Sequence, residues 1–156
     1  ILAPGLRLGW IQASAELMRT LTASGVLVSG GNFNHFTSHI VRQLMESGEL
    51  PPFIARLRAS YAARAEAMDQ ALRKHLAGTA RWTKPAGGYF FWLELPAGMD
   101  AAGLQDAARA AGTGFLAGTA CSTSGGLKNC LRLSFAHYSV PDIHEGIARL
   151  GRALAR

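Results

Sequence analysis

The stretch Asn-Cys-Leu-Arg-Leu-Ser-Phe-Ala, residues 129–136, alternates apolar and polar side chains, as a half-buried β-strand does. The alternation places the two leucines and the phenylalanine on one face, toward a core, and Arg132 with Ser134 on the other. A guanidinium offers a rigid fork of donors that matches a carboxylate or a phosphate. Arg132 is therefore either a ligand-binding cation or an exposed strand arginine, and the pattern alone favours the second interpretation.

The segments around this strand predict a sheet covered by helices. Three further short strands are predicted at residues 81–83, 89–95 and 114–117. An alanine-rich helix is predicted at residues 100–111. A last helix starts at Ser139, which forms a capping-box pair with Asp142. This order of elements predicts an α+β layer in which helices lie on an antiparallel sheet.

A long helix precedes the sheet. Pro51 and Pro52 open it, a position where proline costs little. Apolar residues then recur every three or four positions as far as Leu76, which predicts about 25 helical residues. A helix of this length can link two domains, and a single long core helix is the alternative.

The first 48 residues are predicted to belong to a larger unit. They contain one predicted strand at residues 6–13, helices at 14–24 and 33–47, and a glycine loop at 29–32. One strand and two helices cannot form a domain alone. We therefore predict a domain boundary between residues 48 and 49.

Composition excludes several classes of protein. Of the 156 residues, 49% are apolar and 17% charged, which excludes a disordered chain. The longest apolar run, residues 89–93, is far shorter than the roughly 20 residues of a membrane helix. The net charge is +6, but the arginines are scattered, which argues against nucleic-acid binding by this segment. Two cysteines are too few for a disulfide scaffold and predict reduced thiols in the cytoplasm.

The chain does not begin with Met and shows no leader, so we expect a fragment.

Three motifs occur together in one order. They are Ala-Pro-Gly-Leu-Arg-Leu-Gly-Trp at residues 3–10, Lys-Pro-Ala-Gly-Gly-Tyr-Phe-Phe-Trp at residues 84–92, and the strand at residues 129–136. Over the whole chain this set resembles the fold-type I, pyridoxal-phosphate-dependent aminotransferases of class I/II, in the branch that includes 2-aminoadipate and kynurenine aminotransferases. The resemblance implies an α/β fold, the PLP-dependent transferase fold type I. Residues 1–48 would end the large domain, and residues 49–156 would form the linking helix and the small C-terminal α+β domain.

The resemblance also implies roles for two arginines. Arg7 would bind the phosphate of pyridoxal 5′-phosphate, and Arg132 would bind the α-carboxylate of the substrate. The Schiff-base lysine of the family would directly precede Ile1. No lysine of this chain stands in a matching context, so no catalytic residue is assigned and the fragment alone is expected to be inactive. The complete protein would be a cytoplasmic homodimer that transfers an amino group between an amino acid and a 2-oxo acid.

One departure and two alternatives accompany this resemblance. Ala117-Gly118 stands where the family often has Pro-Gly, which leaves the turn near Cys121 open. An aminotransferase-like effector domain of a helix-turn-helix transcription regulator would share the motif at residues 3–10, although the two later motifs favour the enzyme. A scaffold or binding module without catalysis is the third possibility.

Other conspicuous residues are better explained by structure than by chemistry. His35 and His39 have a spacing that can bind a metal, but no third ligand is evident, so no metal is assigned. Cys121, Cys130 and His137 show no arrangement that would activate a thiol. The aromatic run at residues 89–92 is expected to pack in the core, and one of its rings could border the substrate pocket.

Overall fold

The computed structural model describes residues 2, 4–30 and 34–155 of this chain. These residues divide into two compact units, Ile1–Leu57 and Arg58–Arg156, and each unit is described by itself. No helix within the described ranges is long and apolar enough to cross a lipid bilayer.

The first unit consists of short helices. A 3-10 turn at Pro4–Leu6 is followed by α1 (Ala15–Thr22), α2 (Gly25–Gly30) and α3 (His35–Glu46). The Ser14 hydroxyl caps α1 by accepting a hydrogen bond from the amide of Leu17. None of the described side chains in this unit is buried, and Trp10 and Phe36 are 77% and 79% exposed. The unit therefore presents apolar side chains without a core of its own.

Two predictions for this unit are wrong. Residues 6–13 form no strand: Leu6 ends the 3-10 turn, and Arg7 has the left-handed φ of 54°, which interrupts extended backbone. Ser29 and Gly30 lie in α2 rather than in a loop, because a new helix begins directly at Gly25. Helices were correctly predicted where α1 and α3 lie. Gly31, Asn32 and the predicted helix start at Phe33 lie outside the described residues.

The long helix α4 spans Leu50–Leu76, 27 residues and about 40 Å. This confirms the predicted helix, which begins one residue before Pro51. Its buried positions are confined to the second half, from Ala65 to Leu76.

A four-stranded antiparallel sheet forms the centre of the second unit. Its strands are β1 (Arg81–Trp82), β2 (Phe90–Glu94), β3 (Leu116–Ala117) and β4 (Cys130–Ser134), in the order β1-β2-β4-β3. All three pairings are antiparallel, as predicted. The strands are shorter than the predicted ones.

One face of this sheet carries the core. Phe91, Leu93, Leu131 and Leu133 alternate inward and pack with residues of α4 and of the last helix. The last helix, α6 (Val140–Leu154), contributes a buried stripe of Ile143, Ile147, Leu150 and Leu154. The opposite face of the sheet carries Arg81, Phe90, Trp92, Glu94, Leu116, Arg132 and Ser134.

The cap of the last helix is as predicted, whereas the helix predicted at residues 100–111 is shorter than expected. Ser139 caps α6 as predicted, because its Oγ accepts from the amide of Asp142 and lies 2.6 Å from the Asp142 carboxylate. The helix predicted at residues 100–111 is instead a 3-10 turn at Ala102–Leu104 followed by the shorter α5 (Gln105–Ala110). Glycine at 103 lowers helix propensity at this point.

A buried carboxylate ties α4 to the sheet. Asp69 is 5% exposed and accepts hydrogen bonds from Trp82 Nε1 at 2.8 Å and from Arg73 Nε at 2.9 Å. Burial raises the pKa of Asp69, but the bonds from Trp82 and Arg73 outweigh it, so the pKa lies below its usual value. The ionised form is therefore the one that holds β1 against α4.

The turn after β3 depends on a glycine. A Cβ atom on Gly118 would lie 2.4 Å from the Leu127 carbonyl oxygen and 2.8 Å from the Cβ of Cys130. Both neighbours are parts of the backbone or directly attached to it, so neither can turn away. Gly118 begins the 3-10 turn Gly118–Cys121, and this close approach settles the path near Cys121.

We expect Gly118→Ala to lower the free energy of unfolding by about 1–3 kcal/mol, because the added methyl overpacks the turn. Denaturant titration measures the change. Gly114→Ala is the matched control, since a Cβ there meets nothing within 4 Å. Equal stability of the two variants would contradict this account of the turn.

The second stability prediction concerns acid. A carboxylate whose pKa is lowered by folding stabilises the protein above its unfolded pKa of about 3.9, and this contribution is lost as the pH falls. We expect Asp69→Asn to lower the free energy of unfolding at pH 7 by about 1–3 kcal/mol and to flatten its decline between pH 7 and pH 3. Urea titrations at several pH values measure both effects.

Asp106→Asn is the control for this experiment, because Asp106 pairs with Arg109 in an exposed position. Its pH dependence should match that of the unmodified chain. If Asp69→Asn kept the same decline as well, the buried carboxylate would have no part in acid sensitivity.

Candidate functional site

Arg132 lies in the middle of the open face of the sheet. In the strand register it stands opposite Trp92 on β2 and opposite Leu116 on β3. The side chains of directly opposed residues lie on the same face of a sheet. Arg132 is half-buried among these neighbours. The strand pattern in the sequence predicted this placement correctly.

The guanidinium of Arg132 has an aromatic neighbour instead of an acidic one. Its Cζ atom lies 4.0 Å from the centroid of the Phe90 ring. No carboxylate of residues 4–30 and 34–155 lies within ion-pairing distance of it. In contrast, Arg109 pairs with Asp106 at 3.0 Å and Arg149 pairs with Glu145 at 2.8 Å. The Arg132 guanidinium therefore keeps its donors for a ligand.

A cavity of about 890 Å³ adjoins this side chain. It lies beside the end of β4, where the two-residue β3 no longer covers the strand. The segment at residues 112–115 and the first half of α6 form its other walls. Its polar lining comprises Arg109, Thr113, Arg132, Ser134, Tyr138, Asp142, Glu145 and Arg149. The volume is ample for a small organic molecule.

Most of the charge in this cavity is already compensated. The hydrogen bond from Arg149 lowers the pKa of Glu145, with a smaller contribution from Arg152, so Glu145 is a carboxylate at neutral pH. The Asp142 carboxylate accepts a 2.6 Å hydrogen bond from the Ser139 hydroxyl. Since Arg109 and Arg149 are also paired, Arg132 is the cation of this lining that is left for an anionic ligand.

Arg7, the other predicted site residue, follows the 3-10 turn of the first unit. Its left-handed φ of 54° is unfavourable for a residue with a side chain and needs support from its surroundings. The Asn34 side-chain amide donates a 2.9 Å hydrogen bond to the carbonyl of Leu6 and so fastens the turn to the start of α3. The Arg7 side chain is exposed, and within the described ranges no carboxylate pairs with it.

Arg7 and Arg132 belong to different units. Each has the exposure and the unpaired charge that an anion site needs. That they hold opposite ends of one bound ligand stays a prediction.

The structure also describes the two histidines and two cysteines that are conspicuous in the sequence. His35 and His39 have their Nε2 atoms 3.2 Å apart on α3. The described residues nevertheless include no group of three His, Cys, Asp or Glu side chains that could hold a metal. Cys121 is exposed and Cys130 is buried, while His137 packs edge-on against Tyr138.

Which aromatic residue borders the site is not evident from the sequence alone. The expected packing in the core is confirmed for Phe91 and is wrong for Phe90 and Trp92, which are 41% and 38% exposed on the face of Arg132. Because successive side chains of a strand point to opposite faces, Phe90 and Trp92 share one face of β2 and Phe91 lies on the other. The identity of the ring over Arg132 depended on the register between β2 and β4, which single-strand patterns do not specify.

Comparisons with known proteins find a family that matches nearly the whole chain. The family model described as "Aminotransferase class I and II" matches residues 1–150. The aromatic-amino-acid aminotransferase 1 of Thermococcus litoralis is 35% identical over 99% of this chain and 37% of its own length.

Two solved structures resemble the chain over nearly all of its length. The alpha-aminoadipate aminotransferase of Thermus thermophilus, crystallised with N-(5′-phosphopyridoxyl)-L-leucine, matches with a TM-score of 0.88 and 34% identity over 97% of this chain and 39% of that protein. The kynurenine aminotransferase of Pyrococcus horikoshii matches with a TM-score of 0.90 and 31% identity over 99% of this chain and 38% of that protein. This chain thus spans well under half the length of these relatives.

Transcription regulators also match. The HTH-type transcriptional regulator TauR of Rhodobacter capsulatus is 30% identical over 98% of this chain and 31% of its own length. The match to this regulator is weaker than the match to the aminotransferases, although it covers the same residues.

Proposed function

Because this chain belongs to the aminotransferase class I and II family, we propose that it is the C-terminal part of an enzyme that moves an amino group between an amino acid and a 2-oxo acid. One observation carries the proposal. The half-buried Arg132 has no carboxylate partner within the described ranges and lines a cavity of about 890 Å³. A half-buried, unpaired cation in such a place is best explained by an anionic ligand.

The chemistry of the substrates fits a single arginine. An amino acid and the 2-oxo acid derived from it share their carboxylate, so one guanidinium can orient both. The fork of N–H donors binds both carboxylate oxygens and fixes the direction of the Cα atom. Orientation of this kind lowers the barrier by holding the reacting bonds in one geometry. Arg132 is thus proposed as the substrate-carboxylate residue.

Pyridoxal 5′-phosphate is the proposed cofactor, and when bound it supplies the electron sink for chemistry at Cα. The residues of this chain fit its phosphate end. Arg7 is a permanent cation, exposed and unpaired within the described ranges, on a turn fastened by Asn34. Arg7 is therefore proposed as a ligand of the cofactor phosphate.

We do not assign the covalent role of the family to any lysine of this chain. No lysine of this chain stands in a sequence context that matches the family's Schiff-base lysine. Lys74, Lys84 and Lys128 are all exposed, and Lys84 forms an ion pair with Glu66. We therefore propose that this chain alone does not catalyse the transfer.

Further proposals concern organisation. Residues 1–48 are proposed to complete the large cofactor domain, and residues 49–156 to form the linking helix and the small domain. We also propose a homodimer in the cytoplasm. The exposed apolar side chains of the first unit, such as Trp10 and Phe36, support the view that further protein covers it.

A regulatory domain is the second candidate function, and the match to TauR favours it. Both candidates would use Arg132 and Arg7 for binding, but only the enzyme would turn substrate over. A helix-turn-helix segment ahead of Ile1 together with no detectable transfer would establish the regulator.

The proposal predicts the effect of Arg132→Ala in the full-length protein. We expect this substitution to weaken binding of L-leucine by about 2–5 kcal/mol, because the carboxylate loses its charged partner. Binding of 3-methylbutylamine, which is L-leucine without the carboxylate, should not change. Titrations of the cofactor-loaded protein measure both.

Arg81→Ala is the matched control, because Arg81 lies on the same face of the sheet and pairs with Glu94 at 3.9 Å instead of lining the cavity. It should leave both affinities unaltered. Unchanged binding of L-leucine by the Arg132 variant would refute the assignment of this residue.

A separate prediction concerns the cofactor. Arg7→Ala should weaken the binding of pyridoxal 5′-phosphate, by about 2 kcal/mol or more for the loss of a charged hydrogen-bond partner, and should leave the binding of pyridoxal without phosphate unaltered. Equilibrium dialysis of the full-length protein measures both. Arg19→Ala, on the exposed surface of α1, serves as the control. Equal losses for both forms of the cofactor would show that Arg7 does not bind the phosphate.

A further inference from the structure

Phe90 and Arg132 meet across two paired strands. Phe90 stands opposite Ser134, and Arg132 stands opposite Trp92, so the two residues are diagonal neighbours on one face of the sheet. Diagonal neighbours are about 7–8 Å apart at their backbones, within reach of aromatic and long side chains. The 4.0 Å separation of Arg132 Cζ from the ring centroid is the result.

The Phe90 ring is itself supported by other aromatic side chains. It packs edge-on against Tyr89, with centroids 6.2 Å apart. Tyr89 packs edge-on against Tyr61 of α4 at 5.4 Å, and Tyr61 packs against Phe135 at 6.2 Å. This series of contacts connects the ring beneath Arg132 to the buried side of the unit, although Phe90 is partly exposed.

An aromatic neighbour acts on a guanidinium differently from an acidic one. A carboxylate would accept hydrogen bonds from the N–H groups and would compete with any carboxylate ligand. The Phe90 ring attracts the positive charge through its electron-rich face and lies under the central carbon, so it does not occupy the donors as an oxygen would. It can therefore hold Arg132 in place and leave it available for binding.

We infer that Phe90 is the positioning residue of Arg132, which keeps the guanidinium beside the cavity and ready for a carboxylate. This inference rests on the proposed function, since it assumes that Arg132 binds the substrate. It gives Phe90 a role in substrate binding that is exerted through Arg132.

Two substitutions in the full-length protein test the inference. Phe90→Leu removes the ring and keeps an apolar side chain, and Phe90→Tyr keeps the ring. We expect Phe90→Leu to raise the KM for L-leucine roughly 3- to 30-fold, the range of a cation–π contact, with a smaller change in kcat. Phe90→Tyr should stay within about twofold of the unmodified protein, since Tyr also presents an aromatic face to the cation. The free energy of unfolding of each variant separates this effect from a loss of folding.

A double-mutant cycle then separates the inference from the proposed function. On an Arg132→Ala background, Phe90→Leu should leave the KM for L-leucine without further change, because the group that it positions is gone. An equal rise on both backgrounds, or equal effects of Leu and Tyr at position 90, would overturn the inference. If Arg132→Ala alone left the KM unaltered, the proposed function itself would fail.

Discussion

The antiparallel pairing of β2 with β4 is the constraint on which the second unit depends. Five consecutive residue pairs fix the register, from Phe90 with Ser134 to Glu94 with Cys130. A shift of one residue would move every side chain to the other face of the sheet. The Arg132 guanidinium would then enter the core, where an unpaired charge is very costly. The pattern that builds the core thus also keeps the cation on the open face.

Much of the second unit could be predicted from the sequence because its burial pattern is local. Alternation identified β4, the aromatic and apolar composition of a short run identified β2, and the three-to-four spacing identified α4 and α6. The buried Asp69 could not be predicted in this way. Its ionised state depends on Trp82, thirteen positions along the chain, whose indole N–H reaches it only after β1 has packed on α4.

The first unit was predicted less well, and the reason is also physical. Its helices α1 and α3 carry signals that act within a few residues, such as the Ser14 cap. The predicted strand at residues 6–13 would need a neighbouring strand, and none is present among the described residues of this unit. The backbone at Arg7 instead adopts a left-handed conformation, which periodicity cannot predict. For the site, the strand pattern correctly placed Arg132 on the open face of the sheet. That Arg7 and Arg132 bind opposite ends of one ligand depends on how the two units are arranged, and it stays a prediction.

The turn at Ala117-Gly118 shows which half of a dipeptide is replaceable. Ala117 has φ −65° and ψ 143°, and this φ is the value that a proline ring imposes. The φ at position 117 is therefore compatible with either residue. Position 118 accepts only glycine, because the Leu127 carbonyl oxygen occupies the space that a Cβ atom would take. We therefore expect related sequences to differ at position 117 and to keep glycine at position 118.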